Sequence, residues 1–320
     1  MNLSSSQSFL STFQVILTVF CVMLTCFGAL YYFRHVRLER PAIGRFNGRD
    51  VVFLFLFLTL LPGFYLLLPQ WALTTVLAIT FTAALSIGGR PIFSPGVLWL
   101  GIGILIGAQL WLGQRWIDNV SHWHFVWAEN SIIVLLASIA VSNLYVQGGM
   151  QVKHVAWFAA GLAIYDSMFT LVWPVSNLLI RSFVNHPLFP AMGMRIHYDE
   201  AIVGLGDLLV YAGFTIAAYK AYGRKGLRLA IGLVLVFGAV MPTLSGLLLN
   251  YVDARLDVVI PAQTYFGPAA LAGYWFLRRR YGRERTMQEY LASSDAGPQQ
   301  QPAPAAIPKQ PTIDSEPVSV

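Results

Sequence analysis

The chain has 320 residues, 56% of them apolar and only 11% charged, where soluble domains carry roughly a quarter charged. That composition excludes a soluble enzyme of any size and leaves a polytopic membrane protein with one membrane domain. A net charge of +6 does not mark a nucleic-acid partner, because the basic residues cluster in loops beside apolar runs, where they report topology.

Crossing a hydrocarbon core of ~30 Å takes about 20 apolar residues. Stretches that meet or approach this lie at about 10–33, 51–69, 70–88, 96–113, 126–146, 154–180, 201–220, 228–250 and 258–277, and they predict nine transmembrane helices. The second and third form one uncharged run, divided at Pro69-Gln70 because the whole is too long for a single crossing. The opening MNLSSSQSF has no positive charge and the first span is followed by RHVRLERPAIGRFNGR, the reverse of a secretory signal, so the first helix is read as retained. Cys21 and Cys26 lie inside that helix and form neither a disulfide framework nor a metal site.

Basic residues set the orientation. Alternate loops place Arg34, Arg37, Arg40, Arg45, Arg49, Arg90, Lys153, Lys220, Arg224, Lys225, Arg228 and the five arginines from Arg278 to Arg285 on one side. Only Arg115, Arg181, Arg195 and Arg255 fall on the other. The amino terminus is therefore expected outside or in a lumen and the carboxyl terminus in the cytosol, in the plasma membrane or the endoplasmic reticulum. The sequons Asn2-Leu3-Ser4 and Asn119-Val120-Ser121 fall on the outer side. After Arg285 the composition turns to Pro, Gln, Ala and Ser, which divides the chain into a membrane domain, 1–289, and a disordered cytosolic tail, 290–320.

Two acids stand out against this background. Asp166 lies in the run HVAWFAAGLAIYDSMFTLVW and Asp207 in the next, AIVGLGDLLVYAGFTIAAY, although a carboxylate at mid-bilayer costs at least ~2.5 kcal/mol. Asp166 is 12 residues from His154 and Asp207 is 13 from Lys220. At 1.5 Å per residue both reach about 18–20 Å from the same face, on antiparallel neighbours. Two carboxyls at hydrogen-bonding distance cannot both ionise and so share a proton, and such a pair suits amide hydrolysis: one member takes a proton from water while the other polarises the carbonyl.

Gly204 and Gly206 leave room for another backbone just before Asp207, and Tyr165 offers a phenol beside Asp166. Pro174, Pro242, Pro261 and Pro268 interrupt the last helices, which lipid tolerates where the freed carbonyls face protein or water. Glu129 with Asn130 reads as interfacial or as a polar partner for another helix. His122, Trp123, His124 and Trp127 read as an interfacial aromatic belt.

These residues resemble the presenilin and signal peptide peptidase family of GxGD intramembrane aspartyl proteases. That family carries YD in its sixth helix, GxGD in its seventh and PAL near the start of its ninth. Here they correspond to Tyr165-Asp166, to Gly204-Leu205-Gly206-Asp207, and to Pro261-Ala262-Gln263, where Gln263 stands in place of the leucine. The resemblance implies a presenilin-like all-α fold of nine helices and Asp166 and Asp207 as the catalytic pair. It also implies that the Pro261 segment shapes the site and holds an extended substrate, with no cofactor or metal. The orientation and the short 181–200 loop are similar to signal peptide peptidase. The implied substrate is then a membrane helix with a cytosolic amino terminus, a signal-peptide remnant or type II anchor. Accessory subunits are not implied, and a homo-oligomer is left open.

Two other readings use the same residues. Midplane acids between broken helices also serve proton-coupled transporters and channels. Gln263 also fits an inactive relative that binds membrane helices without cutting them.

Overall fold

The computed structural model describes residues 3–38, 48–116, 122–172, 186–196, 199–252 and 261–295. The helices are α1 (Leu3–His35), α2 (Gly48–Leu67), α3 (Gln70–Gly89), α4 (Pro95–Trp116), α5 (Trp123–Gln147) and α6 (Val152–Ser167). A π-helical turn, Met168–Val172, extends α6. Strands β1 (Ala191–Ile196) and β2 (Asp199–Gly204) follow. Then come α7 (Leu205–Leu233), a π-helical segment Val234–Val240, α8 (Met241–Val252), α9 (Ala262–Tyr281) and the short α10 (Met287–Leu291).

Among the described residues, five helical stretches are long and apolar enough to cross a membrane: Thr12–His35, Gln70–Gly89, Pro95–Trp116, Trp123–Gln147 and Leu205–Gly246. Around them run large apolar side chains open to the outside, among them Phe53, Leu67, Trp71, Ile79, Leu100, Ile164 and Leu248. Water does not tolerate so continuous an apolar surface, whereas lipid matches it. The protein is a mostly helical membrane protein.

The fold departs from purely helical in one place. The run 201–220, expected as a single span, opens instead as β2 and becomes helical only at Leu205. Its partner β1 lies inside the stretch taken as a loop. The physical reason is mutual: neither six-residue strand is stable alone, and each has the other plus α1 and α5 to pack on.

The first half of α7 is the hub. Leu208, Tyr211, Ala212, Phe214, Ile216, Ala217 and Ala218 are all fully buried, against α1, α5, α6 and α9. At Gly223 the backbone takes φ 63° and ψ −146°, which bends the long Leu205–Gly246 stretch. A second bend follows where Pro242 removes an amide just after the π segment, whose last bond runs from Met241 N–H to the Val236 carbonyl. Pro268 sits within α9 and Pro261 caps its start, while Pro174 lies outside the described residues.

Beyond α9 the chain folds back on the start of α6. The carboxylate of Glu284 accepts from the Val152 amide at 2.8 Å and the Lys153 amide at 3.2 Å, closing two of the unpaired donors of that helix. Lys220 is buried nearby, its ammonium donating to the Met150 and Val146 carbonyls. Arg285 pairs with Asp295 at 2.8 Å, and Tyr290 is fully buried between Phe33 and Tyr219. Described structure thus continues past the boundary at 289 drawn from composition, and residues 296–320 lie outside it.

Burial holds the Glu284 carboxyl above the usual glutamate range, although the two amides, Lys220 and Lys153 pull it down. A folded-state value raised above the unfolded one favours folding at low pH, and that contribution is lost as pH rises from the ordinary glutamate value through the raised one. Melting temperature in detergent should fall across that window in the wild type, and Glu284→Gln should flatten the slope. An unchanged slope in the variant would show that the carboxyl is not the group responsible.

Candidate active site

The hairpin pairs Ala191 with Gly204, Met192 with Val203 and Gly193 with Ile202, in antiparallel register. In such a ladder, residues alternate between bonding inward to the partner strand and pointing their amide and carbonyl outward. Leu205 N–H bonds to the Pro190 carbonyl at 2.9 Å, which continues the inward series through Met192–Val203. It follows that Ala191, Gly193, Ile202 and Gly204 present their polar groups at the outer edges.

Those two edges are treated differently. Along β1, Ser131 of α5 accepts from Gly193 N–H at 3.1 Å and donates to its carbonyl at 3.0 Å. Asn130 donates to the Phe189 and Ala191 carbonyls at 2.8 and 2.9 Å. Trp123 and Trp127 are buried against Phe189 and Ala191, so these two rings seat the hairpin and are not the interfacial belt expected from sequence. The reason is that the hairpin returns over the start of α5 and covers them. Along β2, the amide and carbonyl of Ile202 and the amide of Gly204 make no hydrogen bond among the described residues, while the Gly204 carbonyl stands at the N-cap of α7 and belongs to that helix.

The open edge runs directly into the first turn of α7, which carries Asp207. Unpaired amides at a helix start favour an anion there. A Cβ on Gly204 would lie 3.3 Å from Asp207 Oδ2, so any side chain there would press on the carboxylate; around Gly206 the space is open. Leu205 packs on the core between them.

Asp166 reaches the same place from α6. Both acids are half-buried, and their carboxyl groups lie within electrostatic reach of each other. The third wall is α9, pressed tightly onto α6 because Gly267 has no side chain: a Cβ there would come 2.6 Å from the Ala159 carbonyl oxygen. Beside the acids, the Thr264 hydroxyl lies 3.0 Å from that of Ser167. Ser167 already donates to Ala163 at 2.7 Å, so Thr264 is the donor in that pair. Gln263, one residue earlier, donates from Nε2 to Asp207 Oδ1 at 2.8 Å. Asp166-Ser167 and Gln263-Thr264 thus face each other across the α6–α9 seam.

Of the residues singled out in sequence, Asp166, Asp207, Gly204 and Gln263 converge on one site. Pro261 and Ala262 form the turn that starts α9. Tyr165 is turned toward Phe169, ring centroids 4.5 Å apart, with no hydrogen bond to either acid among the described residues. Glu129 stays half-buried on α5, one Oε2 without a partner there. Among the described residues no group of three or more His, Cys, Asp or Glu side chains gathers.

No protein-family model, curated protein or solved structure matches the chain. The functional reading therefore stands on motif and geometry.

One further group belongs to the site. Tyr211 is fully buried one helical turn after Asp207, feels the charge of both acids, and has no hydrogen-bond partner for its hydroxyl among the described residues. Its i+4 spacing from Asp207 was the available signal. An unpartnered buried hydroxyl costs about 1–3 kcal/mol, so Tyr211→Phe should keep or raise thermal stability in a detergent melt. A marked loss of stability would instead reveal a partner that binds the hydroxyl.

Proposed function

We propose that the protein is an intramembrane aspartyl endopeptidase of the GxGD type, which hydrolyses peptide bonds within membrane-spanning helices. The observation that carries this reading is the convergence of Asp166 and Asp207, from α6 and α7, at the end of an open strand edge. A dyad alone suits proton relay as well as hydrolysis. An unsatisfied β edge beside it suits a substrate that must be extended before it is cut.

In the proposed mechanism the two carboxyls share one proton and hold a water between them. One acts on the water as base while the other polarises the scissile carbonyl. An intact helix hides that carbonyl by its own hydrogen bonds, so the substrate has to unwind locally. The amide and carbonyl of Ile202 and the amide of Gly204 offer the opened backbone new partners, by strand addition. The resemblance implies this role for the Pro261 segment; Pro261 itself is extended and caps the start of α9, residues 253–260 before it lie outside the described residues, and β2 is a second candidate edge. The wider assignment includes nine transmembrane helices, an outer amino terminus, a cytosolic carboxyl terminus and type II or signal-peptide-like substrates.

Purified protein is expected to cleave a type II membrane-helix peptide, and Asp166→Asn or Asp207→Asn should each abolish cleavage while leaving the protein inserted and folded. Full activity in either single variant would remove the dyad from the mechanism. An inert wild type that conducts or exchanges protons in liposomes would favour the transporter reading.

The strand edge has its own test. Ile202 N–H points away from β1, so Ile202→Pro deletes an outer donor without breaking an inter-strand bond. Cleavage of the membrane-helix peptide should fall about two- to tenfold, the scale of one lost charge-free hydrogen bond, with the melting temperature little changed. Unaltered cleavage would show that substrate does not pair there.

A further inference from the structure

The dyad is built asymmetrically, and Gln263 is the source. Its side chain is 1% exposed, and Nε2 donates to Asp207 Oδ1 at 2.8 Å. An amide nitrogen has hydrogens to give and no lone pair to accept with, so it favours the ionised form of its carboxyl partner. Asp207 also stands in the first turn of α7, where the helix start favours negative charge. Asp166 receives no hydrogen bond among the described residues. Its neighbour Ser167 is instead occupied with Ala163 and Thr264, a link that fixes α9 against α6 and sets where Gln263 stands.

We propose that Gln263 is a positioning residue that assigns the two chemical roles, holding Asp207 as the ionised member and leaving the shared proton on Asp166. This rests on the protease reading above. Asp207 then takes a proton from water as the water oxygen bonds to the scissile carbonyl carbon, and Asp166 gives its proton to the carbonyl oxygen. In the second half, Asp207 passes its proton to the departing nitrogen, the C–N bond breaks, and Asp166 recovers a proton from the diol. Water is consumed, an acid and an amine leave, and both carboxyls return to their starting states.

The other ionisable groups facing the pair are Tyr165 from α6, Tyr211 from α7 and, behind Tyr211, Cys26 from α1. Phenols and thiols ordinarily ionise above about pH 8, so the acid limb of the rate profile reports the carboxyls. Glu200 and Asp199 lie toward the far end of the hairpin, opposite Arg195 and Ile196.

The test is the pH dependence of kcat/KM on a type II membrane-helix peptide in detergent, for wild type, Gln263→Met and Gln263→Leu. Met keeps the length of the side chain and loses the donor; Leu is a second apolar replacement in case Met repacks badly. Binding of a hydroxyl-containing transition-state inhibitor confirms that each variant retains an assembled dyad. The expected result is an acid limb shifted upward by about one pH unit, the scale of one lost hydrogen bond to a carboxylate, with activity regained at higher pH. A limb that stays put overturns the proposal. A downward shift also overturns it, because Gln263 would then accept from a protonated Asp207 through Oε1, the atom that has no partner among the described residues. Loss of inhibitor binding in both variants assigns Gln263 to folding of the site and equally overturns it. An inert wild type takes down the protease reading and this inference together, whereas an active wild type with unmoved limbs removes Gln263 alone.

Discussion

A carboxyl group away from water has to be answered by something, and the arrangement around Asp207 is the answer on which the site depends. At mid-bilayer the group costs at least ~2.5 kcal/mol. Around Asp207 the helix start and the Gln263 amide supply the compensation, while the neighbouring acid, a like charge, raises the demand. Each of these requires a separate element to arrive in register. The start of α7 exists because β2 ends at Gly204; the amide arrives because α9 lies tightly on α6 through Gly267; the second acid arrives on α6 itself. A shift of any one by a residue would leave a buried charge without its partners.

The same demand for satisfied polar groups shapes the periphery. The start of α6 would expose unpaired amides, and Glu284 closes two of them from a segment far along the chain. Lys220, buried and with no salt bridge among the described residues, turns its donors to the carbonyls that end α5 and its following turn. The α6 helix that delivers Asp166 is thereby held at its far end by the α9–α10 connection. At its near end the Ser167–Thr264 pair ties it to α9.

What the sequence made legible follows from how strongly physics penalises the alternatives. Asp166 and Asp207 stood out because a membrane charge is expensive, and counting residues from the ends of their runs already put them at one depth. The strand that ends in AIVG was hidden: a short apolar segment flush with a helix reads as more helix, and only the pairing with Ala191–Ile196, from Ile196 with Asp199 to Ala191 with Gly204, makes it a strand. Trp123 and Trp127 misled for a related reason, since an aromatic near a span end looks the same whether lipid or a returning hairpin covers it. Tyr211 carried no signal beyond its i+4 spacing from Asp207. Gln263 was visible as a departure from a motif, but its bond to Asp207 depends on a close α6–α9 approach that one glycine, Gly267, permits and that spacing alone does not announce.

The unequal treatment of the hairpin edges carries the functional logic one step further. A two-stranded sheet has two outer edges, and both would bind an extended peptide equally if left bare. Asn130 and Ser131 occupy one of them with side chains from α5, which leaves β2. That choice matters because only β2 is continuous with the helix that carries Asp207. On the proposed protease reading, a backbone paired along β2 would be guided up to Gly204, where the ladder stops, and the bond to be cut would lie past the last paired residue, over the acids. Strand pairing and bond cleavage would then be separated by a single turn of chain, the hairpin holding one side of the scissile bond and the dyad meeting the part without a partner.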